Sequence, residues 1–242
     1  MRLSILVLPV MAAFAASSVS AADPIRVFLF AGQSNMEGAD TRVEEVDSHP
    51  PYRGVFGDVD EVRYSYQLGQ NHQSDGWTTL NVAGNMFGPE ITFARELLED
   101  DMGPIAIIKD AWGGTTLVND WAPDGGDDKS RKLYARFVKQ VEHRLADLKD
   151  AGETYQVEAL MWHQGENDMF HAEGKQSYEE NLAGFIASLR RDLKLPELKV
   201  FVGEISTKGV WGMDNRANVA LIRDAQDAVV KADPLVNFVP TS

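Results

Sequence analysis

Short apolar segments alternate with amphipathic helices along most of this chain, and this order constrains the possible folds most strongly. Strands that alternate with helices form parallel sheets covered on both faces. The sequence therefore predicts an α/β fold with a parallel five-stranded sheet between two layers of helices. The predicted strands are 25–31, 105–108, 157–162, 200–202 and 236–239, and the predicted helices are 89–101, 132–149, 178–193 and 215–231.

Length and charge narrow the function classes. With 242 residues, the chain is long enough for one well-buried core. The absence of cysteine excludes thiol catalysis, cysteine–zinc sites and disulfides, and no cofactor is predicted. The net charge of −14 makes nucleic acid and anionic membranes poor partners, because their phosphates would repel such a surface. A neutral polysaccharide or sugar ester is compatible with this charge.

The first residues have the pattern of a secretory signal. Arg2 precedes the apolar run Leu3 to Ala16, and Val19-Ser20-Ala21 supplies the small residues that a signal peptidase reads. The run is too short to span a membrane comfortably. We therefore expect a signal peptide over 1–22, an esterase-type domain over 23–242, and an exported protein, periplasmic or secreted, with no membrane in its mature form.

Three polar, glycine-rich segments each follow a predicted strand. They are Gly32 to Met36, Asp110 to Thr115, and His163 to Asp168. In open parallel sheets, ligands bind just beyond the carboxyl ends of the strands. The three segments are therefore expected to meet at one edge of the sheet and to form a site there.

Ser34 is the candidate nucleophile. It follows Gly32, which permits an unusual backbone angle in a tight turn after the first strand. Such a turn presents a hydroxyl with a backbone N–H group beside it. A turn serine or a helix N-cap is the structural alternative. The pattern differs from the Gly-x-Ser-x-Gly elbow, because Met36 stands where the second glycine belongs.

The other two segments offer candidate partners for Ser34. Gly113 or Gly114 could direct a backbone N–H group at an oxyanion, and Gln164 could add an amide donor. Glu166 and Asp168 could orient a base. Turn formation and helix capping are the structural alternatives, and a metal site built from His163, Glu166 and Asp168 also remains open.

At these residues the sequence resembles the SGNH hydrolases, in the branch of sialic-acid acetylesterases and acetylxylan esterases of carbohydrate esterase family six. The likeness runs from about Arg26 to the end of the chain. It rests on four blocks in the family's order: Phe30-Ala31-Gly32-Gln33-Ser34-Asn35-Met36, Phe87-Gly88-Pro89-Glu90, Gly113-Gly114-Thr115 and Trp162-His163-Gln164-Gly165-Glu166.

The resemblance implies a flavodoxin-like three-layer α/β/α sandwich and acetyl-ester hydrolysis on carbohydrates through an acyl-enzyme. Ser34 would attack the acetyl carbonyl and Glu166 would be the acid of the triad, a role for which an aspartate near the catalytic histidine competes. The oxyanion and the substrate would be held by groups of the same blocks: Gln33, Asn35, Gly113, Gly114, His163 and Gln164.

One block of the family is not found in this sequence. Its catalytic histidine lies in an Asp-x-x-His block near the C-terminus, whereas the last histidine here is His171. His163 is the one histidine on the predicted edge. Either this chain is a fragment or the protein has lost its base, and we expect the chain as written to lack its closing block and to be catalytically crippled. A non-catalytic sugar-binding protein and an SGNH lipase or thioesterase remain alternatives. Trp77 and Trp121 are weaker candidates for stacking on a sugar.

Overall fold

The computed structural model describes residues 23–50, 53–82, 86–206, 209–210 and 213–241. The predicted signal peptide over 1–22 lies outside these residues. The described strands are β1 Ile25–Gly32, β2 Val59–Leu68, β3 His72–Gln73, β4 Thr78–Leu80, β5 Ile105–Ala111, β6 Tyr155–His163, β7 Lys199–Gly203, β8 Gly209–Val210, β9 Met213–Asp214 and β10 Val236–Val239. The described α-helices are α1 Ser34–Glu37, α2 Val43–Asp47, α3 Glu90–Glu99, α4 Leu133–Asp150, α5 Ala172–Asp192 and α6 Arg216–Ala232.

In the described part of the chain the main sheet has eight strands, and its parallel part runs in the order β10-β7-β6-β1-β5-β2. Five of these six parallel strands match the predicted ones. The sixth, β2, lies in the region 37–84, where the sequence showed no steady periodicity, because Asp60, Glu61 and Arg63 interrupt its apolar pattern. β3 and β4 pair with β2 in antiparallel orientation.

Two hydrophobic cores lie on opposite faces of the sheet. Successive residues of a strand point to opposite faces. On β1, Val27 and Leu29 join the core beneath α4, α5 and α6, whereas Phe28 and Phe30 join the core beneath α3. The predicted three-layer sandwich is thereby confirmed. The sheet, with the edge that carries the polar loops, lies between the two helix layers.

The layer with α3 leaves an apolar groove of about 370 Å³ on its face of the sheet. Its wall is mostly apolar, and His163 lines one end; the wall includes Phe28, Phe30, Phe93, Met161 and Phe201. None of the helices in the described part of the chain is both long and apolar enough to cross a membrane.

Candidate active site

The three polar loops meet at one edge because their strands are neighbours in the sheet. Gly32, the last residue of β1, lies opposite Ala111 on β5 and opposite His163 on β6. Gly113 lies close to the turn that carries the candidate nucleophile Ser34 (the nucleophile turn). A β-carbon built on Gly113 would be 3.3 Å from the β-carbon of Ser34. The structure therefore brings two of the predicted loops into contact with the residues that carry Ser34.

Ser34 is the first residue of the four-residue helix α1 and is half-buried. A glycine is required at position 32, because an added β-carbon would lie 2.1 Å from the carbonyl oxygen of His163. That same carbonyl accepts the backbone N–H of Gln33 at 3.1 Å. The first N–H groups of a helix have no partner within it, so the turn presents a hydroxyl beside unpaired donors.

Glu166 is bound by both neighbours of Ser34. Its carboxylate is buried and accepts a hydrogen bond from the side-chain amide of Gln33, with Nε2 and Oε2 2.5 Å apart. The amide of Asn35 donates to the other oxygen. Both amides therefore hold Glu166 in this structure, and a role of Gln33 and Asn35 in binding the substrate stays a prediction.

Glu37 is a residue of the site that sequence reasoning missed. Its Oε2 accepts the backbone N–H of Gly113 at 2.6 Å, and so the end of α1 is tied to the loop after β5. The N–H of Gly113 is thereby directed at a carboxylate and not at an oxyanion. Gly114 is exposed, and its positive φ of 69° favours glycine there. Of the two predicted glycine donors, the geometry favours Gly114.

Gln164 lies beneath the site and not in it. It is fully buried, and its amide donates to the carbonyl of Thr115 at 2.9 Å and to the carboxylate of Asp168 at 2.5 Å. Both N–H groups of this amide therefore face internal partners in this structure, and the role of Gln164 as an oxyanion donor stays a prediction. A buried amide keeps such partners, since an unpaired buried donor costs about 1–3 kcal/mol.

Asp168 shares this structural role. Its carboxylate accepts the backbone N–H groups of Leu117 and Val118, which fixes the loop after β5. Burial raises the pKa of Asp168, while hydrogen bonds from Gln164 and from the loop oppose the rise. Among the described residues, no group of three or more histidines, aspartates and glutamates is arranged to hold a metal ion.

His163 lines the site from the side of the apolar groove. Its Nε2 lies 3.9 Å from Oε1 of Glu166, and its ring packs against Gly203. In the described part of the chain, no hydrogen bond joins a histidine to the hydroxyl of Ser34. The remaining histidines lie elsewhere and are exposed. His49 follows α2 and His72 begins β3, while His143 lies on α4 and His171 precedes α5.

A match to a family profile shows to which family the chain belongs. The profile described as carbohydrate esterase, sialic acid-specific acetylesterase, matches residues 24–242. The chain belongs to this carbohydrate esterase family. The esterase is also 28% identical over 199 residues to a probable carbohydrate esterase of Arabidopsis thaliana, which covers 77% of this chain and 71% of the relative.

Two solved structures share the fold of the esterase. A protein from Arabidopsis thaliana superposes with a TM-score of 0.65 at 23% identity, covering 90% of this chain and 86% of that chain. A carbohydrate acetylesterase from Xanthomonas citri superposes with a TM-score of 0.63 at 22% identity, covering 88% of this chain and 49% of that chain. Both likenesses support the predicted SGNH-type sandwich.

A buried ion pair supports the nucleophile turn of the esterase from below. Nζ of Lys109 lies 2.6 Å from Oε2 of Glu90, and both side chains are buried. A β-carbon on Gly88 would lie within 3 Å of both groups and of the Met36 carbonyl. Burial lowers the pKa of Lys109, while Glu90 opposes the change. The Phe87-Gly88-Pro89-Glu90 block therefore acts through packing beneath α1.

We expect Lys109→Met to lower the free energy of unfolding by about 3–5 kcal/mol, because it leaves the Glu90 carboxylate buried without its cation. Urea unfolding followed by circular dichroism measures the change. The double variant Lys109→Met/Glu90→Gln should recover most of the loss. Arg216→Met breaks the exposed pair with Asp214 and should cost less than about 1 kcal/mol. A loss for Lys109→Met as small as this control would contradict the role of the pair.

The two tryptophans predicted to stack on a sugar, Trp77 and Trp121, differ in how deeply they are buried. Trp121 is fully buried in the core beneath α4 and α5, and its indole N–H donates to the hydroxyl of Thr115. The prediction that Trp121 faces substrate is therefore wrong. Trp77 is half-buried and packs against the same core. Trp112 is also half-buried, and the guanidinium of Arg131 lies 5.2 Å from its ring centroid.

Proposed function

We propose that the esterase hydrolyses acetyl esters carried by carbohydrates, with Ser34 as nucleophile. The observation that carries the proposal is the arrangement around α1. Ser34 begins the helix directly after β1, and its two neighbours, Gln33 and Asn35, hold the buried carboxylate of Glu166. Membership of a carbohydrate esterase family supports the same reaction.

In the proposed reaction, Oγ of Ser34 attacks the acetyl carbonyl, the sugar hydroxyl leaves, and water then releases acetate from the acyl-enzyme. The backbone N–H groups of Ser34 and Gly114 are the proposed oxyanion donors. Proton removal from Ser34 is proposed to depend on Glu166, the carboxylate that the nucleophile turn itself binds. His163 is proposed as a wall that packs beside this carboxylate.

A long-chain acyl esterase is the second candidate, and the apolar groove is the observation that favours it. This groove runs over the face of the sheet, from Arg26 at the start of β1 to His163 at the end of β6. Ser34 lies at the edge of the sheet, with Gly113 against its β-carbon. The space next to the nucleophile therefore favours a short acyl group.

We expect the esterase to prefer acetyl over longer acyl groups by at least about tenfold in kcat/KM, because a misplaced acyl chain loses the aligned geometry that attack requires. The measurement compares p-nitrophenyl acetate, butyrate and octanoate, together with acetate release from acetylated xylan and from an O-acetylated sialoside. A preference for octanoate would favour the long-chain candidate. Absence of acetate release from every acetylated sugar would contradict the proposed substrate class.

We also propose that the esterase is exported. The support is the sequence pattern over 1–22: a single early cation, an apolar run and small residues near Ala21. An acetylated polysaccharide outside the cytoplasm is a substrate consistent with that location.

A further inference from the structure

A polar cleft of about 690 Å³ opens next to the loop that touches Ser34. Gly114 and Asn167 lie at this cleft, and the amide of Asn167 donates to the carbonyl of Gly114 at 3.1 Å. Gly114 follows Gly113, the residue packed against Ser34. A sugar whose ester is bound at Ser34 would therefore extend into this cleft.

Carboxylates outnumber cations in the wall of the cleft. The acidic residues are Asp120, Asp124, Asp127 and Glu173, and the basic residues are Lys129 and Arg131. The chain as a whole has a net charge of −14, which adds to the negative potential.

The one arginine of the cleft is already engaged. Its guanidinium lies 3.0 Å from the carboxylate of Asp120 and 5.2 Å from the ring centroid of Trp112. A carboxylate ligand is bound best by an arginine whose paired N–H donors are free to face it. With Arg131 and Asp120 paired, the wall presents the three carboxylates of Asp124, Asp127 and Glu173 against Lys129 and the imidazole of His171.

Asp124 and Glu173 are the carboxylates whose effect can be tested most directly. Both are exposed to the solvent of the cleft. Asp124 also accepts the backbone N–H of Gly126 at 3.0 Å, a hydrogen bond that the amide oxygen of Asp124→Asn can still accept. Asp127 has a further structural role, because it accepts the amide of Asn119 and the backbone N–H of Lys129. These hydrogen bonds lower the pKa of Asp127, so it contributes a fixed negative charge at neutral pH.

We infer that this cleft binds the sugar of the ester and that Asp124 and Glu173 make it select neutral sugars over sugars that carry a carboxylate. The inference rests on the proposed function and narrows its substrate class. Like charges across a binding site penalise the wrong partner and make its binding depend on salt. Acetylated neutral glycans are thus preferred over acetylated sialic or uronic acids.

The test uses two substrates that differ in one charge: an O-acetylated sialoside, and the same sialoside with its carboxylate converted to an amide. We expect the amide to have a kcat/KM for acetate release about five- to tenfold higher at low salt, and this ratio to shrink at high salt as the charges are screened. Asp124→Asn/Glu173→Gln should bring the ratio close to one.

The matched control is Glu179→Gln/Glu180→Gln, which removes the same charge from α5 at exposed positions outside the cleft and should keep the wild-type ratio. Calorimetric titration of both sialosides into Ser34→Ala gives the same comparison as a ratio of Kd values, without turnover. Faster turnover or tighter binding of the carboxylate form, or a ratio unchanged in Asp124→Asn/Glu173→Gln, overturns the inference. Failure of the wild type to release acetate from both sialosides and also from acetylated xylan contradicts the proposed function, while the Kd ratio still tests the cleft.

Discussion

Replacing Ser34 with alanine in the full-length enzyme is expected to reduce acetyl-ester hydrolysis to the uncatalysed background while leaving the fold intact. In the proposed reaction the hydroxyl of Ser34 forms the acyl-enzyme, and loss of a serine nucleophile costs about 10⁶-fold in kcat in a well-studied serine hydrolase. The fold should tolerate the change, because Ser34 is half-buried and alanine is a good helix former at the start of α1. Hydrolysis of p-nitrophenyl acetate measures the rate.

The matched control for this experiment is Ser177→Ala, which removes a hydroxyl that bonds within α5, to the carbonyl of Glu173 and the amide of Asn181. This control should keep the wild-type rate. Circular dichroism and the melting temperature of both variants verify that each remains folded. A Ser34→Ala enzyme with the wild-type rate would remove Ser34 from the mechanism.

The second large effect is expected for Glu166→Gln, with a fall in kcat/KM of about 10³–10⁴-fold, the size seen when a triad carboxylate is replaced by its amide. The substitution removes the negative charge beside the nucleophile turn. It also places a glutamine amide opposite the side-chain amides of Gln33 and Asn35, which in the wild type donate hydrogen bonds to the Glu166 carboxylate. Rates for an acetyl ester across pH measure the loss.

Glu179→Gln is the control for that variant, since it neutralises an exposed carboxylate on α5 outside the three loops. Its rate should equal that of the wild type. A Glu166→Gln enzyme whose kcat/KM is within tenfold of the wild-type value would show that the carboxylate is structural. Asp168 could not replace it, because its carboxylate already accepts hydrogen bonds from Gln164, Leu117 and Val118. The proton acceptor would then have to be a group outside this cluster.

The nucleophile turn depends on residues that are separated widely in sequence. Glu37 ties α1 to Gly113, and the Lys109–Glu90 pair packs beneath Gly88 and the carbonyl of Met36. These contacts are in addition to the hydrogen bonds that Gln33 and Asn35 donate to Glu166. The turn is therefore held by several charged and polar contacts, which suits a site that must keep its geometry while an ester binds and leaves.

Several features of the fold and the site could be predicted from the sequence alone. The alternation of apolar strands and amphipathic helices determined the three-layer sandwich, because the apolar face of each strand and helix must be buried. Parallel strands end at a common edge, so the loops after β1, β5 and β6 had to meet there. The position of Ser34 directly after β1 follows from the same rule.

Only the tertiary structure decided which group each donor faces. The amide of Gln164 turns into the core toward Asp168, those of Gln33 and Asn35 bind Glu166, and Gly113 donates to Glu37. A local sequence pattern determines which face of a strand or helix a residue occupies, but a hydrogen bond also depends on the distance and direction to its partner. The Gln33–Glu166 and Gly113–Glu37 partners are 133 and 76 residues apart, so their geometry is set by the packed sheet and not by local periodicity.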